Sequence, residues 1–365
     1  MKDSPTKTIC FFNSNKAWGG GEKWHFTTAR EFQHRGFKTF LVTNMNSDLA
    51  KKAQKERIPY IPFNVGNLSF LNPIKILVTA MLLRSKKVDT IVMNLPSDLK
   101  LAGIAAKIAG VRNIIYRRGM PHPLRNTWLN RFLFKNILTH VIVNSEEIGR
   151  SLAQGNESWF PKEKMVLIYN GVDTKLPLIK NKKVYVKKDQ EVVIGNAARL
   201  TEQKGQKYLI EMAKILKEKN FNFKLIIAGD GELKGQLQGL INEHNLQDEV
   251  ELLGHIDDMP AFMNSIDIFV FPSLFEGSAN TLIETLHHGI PSIAFDISSN
   301  PEIIYHGKNG FLAKPFEASE LAKYVMDFVG SEEMRGQLVR NGEELVKEKF
   351  DSRRNLDKLE RIVKC

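Results

Sequence analysis

The sequence predicts an α/β protein of two Rossmann-like domains in tandem, each a parallel sheet covered by helices on both faces. Three observations lead there. A chain of 365 residues is long for one open α/β domain and comfortable for two. Short β-like runs alternate with amphipathic helical runs, and this alternation occurs twice. Between the two series lies a lysine-rich stretch, 174–189, with no hydrophobic period.

In the first series the strand-like runs are 8–13, 38–44, 60–63, 89–93, 113–117, 140–144 and 165–169, each apolar enough for burial on both faces. Helical stretches separate them at 22–35, 73–86, 99–109 and 146–154. After the linker the strand runs are 192–197, 223–228, 250–253, 268–271, 292–295 and 310–313, with helices at 206–218, 233–244 and 281–288. From about residue 331 the chain is helical and highly charged. The expected division is therefore a first domain over 1–173, a linker over 174–189 and a second domain from 190. Two such domains place a cleft between the carboxyl ends of their sheets, where open α/β sheets bind ligands.

Composition narrows the class. No stretch approaches the roughly 20 apolar residues that span a bilayer; the longest candidate, 76–83, is bounded by Lys75 and Arg84. Lys2, Asp3 and Lys7 lead into a strand-like run rather than a leader. Cys10 and Cys365 sit at opposite ends, so no disulfide framework is expected and a reducing cytoplasm fits. The histidines show no metal-binding spacing, and no GxSxG marks a hydrolase nucleophile. Charge is split: residues 1–173 carry 26 Lys and Arg against 12 Asp and Glu, whereas 190–365 carry 20 against 28. The basic half suits an anionic partner, such as a membrane surface or a phosphorylated substrate, and is equally what solvated lysines look like. No RNP-like aromatic pattern or zinc motif points to nucleic acid, so none is expected as partner.

Four constellations bear on chemistry. Gly19-Gly20-Gly21-Glu22 follows the first strand and opens a helix, so backbone N–H groups there can approach an anion. No Lys-Ser/Thr follows, which excludes a P-loop, and a plain strand-to-helix turn reads the same. Arg199-Leu200-Thr201-Glu202-Gln203-Lys204-Gly205 holds a planar fork and a point charge at a second strand-to-helix turn, a pairing suited to a diphosphate or simply two surface cations. Phe271-Pro272-Ser273 runs into Glu276-Gly277-Ser278-Ala279-Asn280-Thr281, with Glu284 eight positions beyond Glu276. Glu276 falls in a loop, Glu284 in the second turn of the helix, and Asn280 or Ser278 can cap that helix. Each carboxylate can accept two sugar hydroxyls, although an isolated pair of glutamates is more often a surface feature. Last, Arg125, Trp128, Leu129, Arg131, Phe132, Leu133, Phe134 and Lys135 mix cations with large apolar groups at helical spacing. Such a segment lies in a membrane interface, or is a core helix with snorkelling ends.

Together these residues resemble glycosyltransferase family 4, the retaining enzymes of the GT-B fold. The matching pieces stand in the family's order: NAARLTEQKG at 196–205, LIIAGDGEL at 225–233, VELLGHIDDM at 250–259, the run at 267–296, NPEII at 300–304 and GKNGFL at 307–312. The first half matches more loosely, through the glycine loop and Tyr169-Asn170-Gly171-Val172-Asp173.

The resemblance implies a fold of two domains facing a cleft, with a second, donor-binding domain over 190–349 and a last helix within 350–365 that returns to the first, acceptor-binding domain. It implies a hexose moved from a UDP- or GDP-sugar to a saccharide or lipid-linked saccharide, in cell-envelope polysaccharide or lipopolysaccharide synthesis. The setting would be the cytoplasm or the inner face of the membrane. Arg199 and Lys204 would bind the diphosphate. Glu276 would hold the sugar's hydroxyls, with Gly277, Ser278, Ala279, Asn280 and Thr281 nearby, and Glu284 the ribose. His255 and Ile256 would flank the base, and Gly20 and Gly21 would approach from the first domain. No metal or cofactor is expected, since protein cations take that place. One departure stands out: where the family often has a histidine after the fifth strand, this chain has Arg117 and Arg118, with His122 further on; either arginine would contact the donor phosphate or an anionic acceptor, or His122 would take the histidine's place. An epimerase of the same fold, or a non-catalytic nucleotide- or nucleic-acid-binding protein, are the competing readings.

Overall fold

The computed structural model describes residues 6–178, 182–188 and 190–364. The linker reading at 179–181 and 189, and Cys365, lie outside them. The chain folds as two compact units, one of residues 1–169 with 354–365, the other of residues 170–353.

The first unit runs β1 (Thr8–Phe12), α1 (Gly20–His34), β2 (Lys38–Thr43), α2 (Asp48–Lys55), β3 (Tyr60–Pro62), α3 (Pro73–Ser85) and β4 (Thr90–Met93). It continues through α4 (Pro96–Asp98), a π turn over Leu99–Gly103, α5 (Ile104–Ala109) and β5 (Asn113–Arg118). Then come α6 (Trp128–Phe132), a second π turn over Leu133–Ile137, β6 (His140–Val143), α7 (Glu146–Ala153) and β7 (Met165–Leu167). The seven strands form one sheet in the order β3-β2-β1-β4-β5-β6-β7, every pair parallel.

Alternation along the strands builds two cores. Ile9, Phe11, Leu41, Val92, Ile115 and Ile142 point to the face covered by Phe26 and Phe32 of α1 and Leu49 of α2. Cys10, Phe12, Val42, Ile91, Met93, Tyr116 and Val141 point to the other, where Leu83 of α3, Ala106 of α5, Phe134 and Leu152 of α7 cover them. Runs apolar at every position are what such doubly covered strands require.

The second unit follows with β8 (Val192–Ala197), α8 (Gln206–Glu218), β9 (Phe223–Ala228), α9 (Lys234–Glu243), β10 (Val250–Gly254), α10 (Met259–Met263) and β11 (Ile268–Phe271). It ends with α11 (Asn280–His287), β12 (Ser292–Phe295), β13 (Phe311–Ala313), α12 (Ala318–Gly330) and α13 (Glu332–Lys349). Its sheet, again parallel, has the order β10-β9-β8-β11-β12-β13.

The last helix, α14 (Ser352–Lys364), belongs mainly to the first unit. Leu359 and Val363 are buried against Ile9, Phe32 and Ile115. Arg35, only 17% exposed, fixes the helix from outside, with Nη1 at 2.6 Å from both Asp357 Oδ1 and Glu360 Oε2. Asn113 Nδ2 and Lys7 Nζ donate to the carbonyls of Ile362 and Val363 at 3.1 and 2.9 Å.

In each sheet the order reverses at one place, between β1 and β4 and between β8 and β11. Connections leave these neighbouring strands toward opposite faces, so a crevice opens at their carboxyl ends. Those two ends carry the residues that the motifs single out.

Candidate functional site

In the second unit, the loop after β8 lies directly on the end of β11. Gly205, at φ +64°, makes this approach possible: a Cβ there would stand 2.1 Å from the Pro272 carbonyl oxygen. The contact brings Lys204 onto the following loop, where its Nζ lies 2.5 Å from Glu276 Oε1. Both side chains are largely withdrawn from water, 16% and 8% exposed. The same oxygen accepts from Ser273 Oγ at 2.5 Å. Among the described residues nothing donates to Glu276 Oε2, so that oxygen stays available to a ligand hydroxyl.

The glutamate's backbone is fixed as firmly. Its N–H donates to Ser298 Oγ at 3.1 Å, and its carbonyl accepts from Ser298 and Ser299 hydroxyls at 2.7 and 3.3 Å. Ser298 is itself in the left-handed region, φ +56°, which a non-glycine residue adopts only when its surroundings hold it there. Taking a lysine and a carboxylate out of water is unfavourable by itself, and this pair stands at a sheet's switch point, where open α/β sheets bind ligands.

Around this pair the other motif residues are distributed as follows. Arg199 is in the same β8–α8 loop, exposed, with no side-chain partner among the described residues. Gly277, Ser278 and Ala279 carry the chain into α11, whose first residues are Asn280 and Thr281. The expected side-chain cap is not made, which corrects the reading of Asn280 or Ser278 as caps. The N-cap position is Ala279, and Asn280 Oδ1 instead accepts from Asn170 Nδ2 at 2.9 Å and Ser278 Oγ at 3.3 Å. The first N–H groups of α11 therefore carry no side-chain cap and favour an anion. Glu284 is half-buried in the second turn of α11. His255 and Ile256 follow β10, two strands from β8, with the exposed His255 ring 3.1 Å from Asp257 Oδ1. The residues that the motifs did not single out are Ser298 and Ser299. A serine pair after β12 is a weak signal, and only the fold shows that it braces Glu276.

At the first unit's switch point the glycine loop is packed rather than open. Gly19 is the N-cap of α1, Gly20 is exposed, and Gly21 lies under Asn94 so closely that a Cβ would be 2.7 Å from its Nδ2. Glu22 is buried, accepting from Asn13 Nδ2 at 3.1 Å and Asn94 Nδ2 at 3.3 Å. Arg117 is 2% exposed, stacked 4.6 Å over Trp24, with Nη1 3.4 Å from Asn94 Oδ1. Burial lowers its pKa to about 10, an effect that the nearby Glu22 opposes. His25 is buried beside it, and burial with the Arg117 charge holds the imidazole neutral, at about 3. The strand's pleat sends Arg118 the other way, where it donates to Tyr116 Oη at 3.2 Å and to the His122 carbonyl at 2.9 Å. His122 is exposed in the loop beyond. Arg117 thus braces α1, while Arg118 and His122 are the residues at the surface.

Asp98 is the other buried carboxyl here. It accepts from Ser14 Oγ at 2.5 Å and from the N–H of Leu95 at 3.0 Å, yet burial outweighs these bonds and raises its pKa from 3.8 to about 7. Between roughly pH 4 and 7 the folded chain keeps a proton that the unfolded chain has lost, so this group makes stability fall as pH rises through that window. Asp98→Asn removes the titration. In thermal melts the stability difference should move in the variant's favour by a few kcal/mol across that window and level off above it. A difference constant with pH would contradict this.

Comparison with known proteins follows the same division. Residues 18–176 match the family profile described as Glycosyltransferase Family 4, and residues 179–345 that of Glycosyl transferases group 1. An uncharacterized glycosyltransferase of Methanocaldococcus jannaschii is 41% identical over 195 residues, 48% of this chain and 48% of that protein. The UDP-Gal:alpha-D-GlcNAc-diphosphoundecaprenol alpha-1,3-galactosyltransferase of Escherichia coli is 28% identical over 272 residues, 69% of this chain and 70% of its own length. The chain spans about half the length of the M. jannaschii protein and of a putative glycosyltransferase of Bacillus subtilis that it also matches. Among solved structures, Anabaena HepE in complex with UDP superposes with a TM-score of 0.82 at 21% identity, over 98% of this chain and 99% of that one.

Proposed function

This chain belongs to glycosyltransferase family 4 and has the GT-B fold, and on that footing we propose that it moves a hexose from a nucleoside-diphosphate sugar to a saccharide or lipid-linked saccharide, with retention of configuration, in cell-envelope polysaccharide or lipopolysaccharide synthesis. The observation that carries this reading is the withdrawn Lys204–Glu276 pair at the β8/β11 switch point, beside a helix start with no side-chain cap. UDP in the HepE complex and the UDP-galactose and diphosphoundecaprenol in the E. coli relative's name favour a UDP-sugar donor and a lipid-linked acceptor.

In this reading each residue has a defined task. As the bond from the sugar's anomeric carbon to the phosphate oxygen breaks, negative charge grows on the leaving diphosphate. Lys204 and Arg199, with the first N–H groups of α11, stabilise it where it forms, and no metal is required. Glu276 Oε2 accepts from sugar hydroxyls and orients the reacting carbon, while Oε1 stays with Lys204 and Ser273. Glu284 takes the ribose hydroxyls, and His255 with Ile256 flanks the base. No carboxylate of the chain is assigned as nucleophile. The acceptor oxygen bonds the anomeric carbon on the face the diphosphate leaves, and its proton passes to the departing phosphate oxygen. In the first unit Gly20, Arg118 and His122 are the exposed or half-exposed groups suited to an acceptor. The reaction is placed on the cytoplasmic side.

The test is a panel of UDP-, GDP- and ADP-sugars, followed by nucleoside diphosphate release with and without lipid-linked acceptors. The reading expects one donor to be used and the product's anomeric proton, observed by NMR, to show retention. Inverted product excludes the front-face route, and conversion of the donor without any acceptor indicates an epimerase.

A further inference from the structure

Helix α3 is apolar through 76–83 apart from Thr79, and yet much of it lies at the surface. It buries Thr79, Ala80 and Leu83 beneath it. On the opposite side Ile74, Leu77, Val78 and Met81, spaced i, i+3, i+4 and i+7, form one stripe that is 43–69% exposed. Leu68 and Leu71 in the preceding turn extend it, 71% and 65% exposed. A contiguous exposed apolar row marks a surface that meets something.

The charges around the stripe say what it meets. From residue 57 to 145 the chain has 13 Lys and Arg and two carboxylates. Of those two, Asp98 is fully buried and Asp89 is engaged by the Thr8 N–H at 2.8 Å. Arg84, Lys86 and Lys87 follow the stripe directly and are exposed. An apolar row followed by exposed cations, in a segment this poor in carboxylates, repels a second copy of itself and complements an anionic interface. The same face of the sheet carries α6, whose following turn buries Leu133 and Phe134 in the core while Trp128 and Phe132 stay 78% and 41% exposed. Among the described residues no helix is long and apolar enough to cross a membrane.

We propose that α3 and the turn before it dock this chain on an anionic lipid bilayer, with residues 68–81 in the boundary between headgroups and acyl chains and the flanking cations on headgroup phosphates. The surface is separate from the donor residues and is tested without any donor, so its failure leaves the transferase reading standing. The experiment is co-sedimentation of the whole chain at low salt with vesicles of equal parts phosphatidylglycerol and phosphatidylcholine, and with phosphatidylcholine alone. The wild type should bind the mixed vesicles and release them as salt is raised. Leu77→Asp with Met81→Asp, and separately Lys86→Glu with Lys87→Glu, should each weaken binding by at least about tenfold. Thermal melts should be unchanged, because all four side chains are exposed. A wild type that ignores anionic vesicles overturns the proposal, as does an aspartate pair that binds like the wild type. A concentration-dependent dimer abolished by the aspartate pair, without vesicle binding, assigns the stripe to a second copy instead and equally overturns it.

Discussion

Replacing Glu276 by glutamine is expected to lower kcat/KM for sugar transfer on the order of 10²- to 10³-fold. The substitution keeps the shape of the side chain and removes the charge that holds Lys204 Nζ at 2.5 Å. It also replaces a group with only acceptors by one with a donor, so a ligand hydroxyl at the outer oxygen no longer meets a carboxylate. Lys204→Met should bring a loss of similar size, because it removes the cation assigned to the leaving diphosphate. The double variant should lose much less than the product of the two, since both act on one arrangement. Thermal melts separate this from unfolding. Glutamine leaves the Lys204 ammonium without its counter-charge, so some loss of stability accompanies the change, but activity per folded molecule should still fall. Equal activity per folded molecule would reduce the pair to a structural ion pair.

The second large effect concerns the backbone under that pair. Gly205→Ala places a methyl where the Pro272 carbonyl oxygen already lies, at 2.1 Å, in a left-handed conformation with φ +64°. The conformation alone costs about 1–2 kcal/mol and the overlap about 1–3 kcal/mol more, so a loss of several kcal/mol is expected in denaturant unfolding of the second unit. Lys204 is the preceding residue and should be displaced, so activity falls with stability. Gly239→Ala is the contrast. It sits exposed within α9 with nothing within 4 Å of the added atom, and should stabilise by about 1 kcal/mol through helix propensity. If both glycines respond alike, the tight approach of the two loops is not what makes Gly205 necessary.

Much of this fold is legible in the sequence because parallel strands buried on both faces leave a strong local trace. All thirteen strands fall where apolar runs such as 192–197 and 268–271 place them, with ends shifted by one or two residues at most. The elements passed over have weaker traces. Helices α2 and α10 are too short to establish a period. The two π turns begin in stretches read as helical, 99–109 and 125–135, where nothing in the composition separates them from α-helix. Helix α12 is different: Ala318, Leu321, Ala322, Val325 and Phe328 are a readable stripe.

At the candidate site, residue types and order were visible for Lys204 and Glu276, but their 2.5 Å contact depends on Gly205 meeting Pro272 some seventy residues later. The support from Ser298 and the stacking of Arg117 over Trp24 are equally non-local. Leu77 and Met81 look in sequence like any core helix, and only their exposure separates them from Leu83.

The central claim, that the β8/β11 switch point holds a nucleoside diphosphate through Lys204, is tested most directly by calorimetric titration with UDP, GDP and ADP. The account predicts that one of them binds the wild type, that Lys204→Met weakens that binding at least about tenfold, and that Leu77→Asp leaves it unchanged. Absence of binding to all three, or equal affinity in the Lys204 variant, would contradict it.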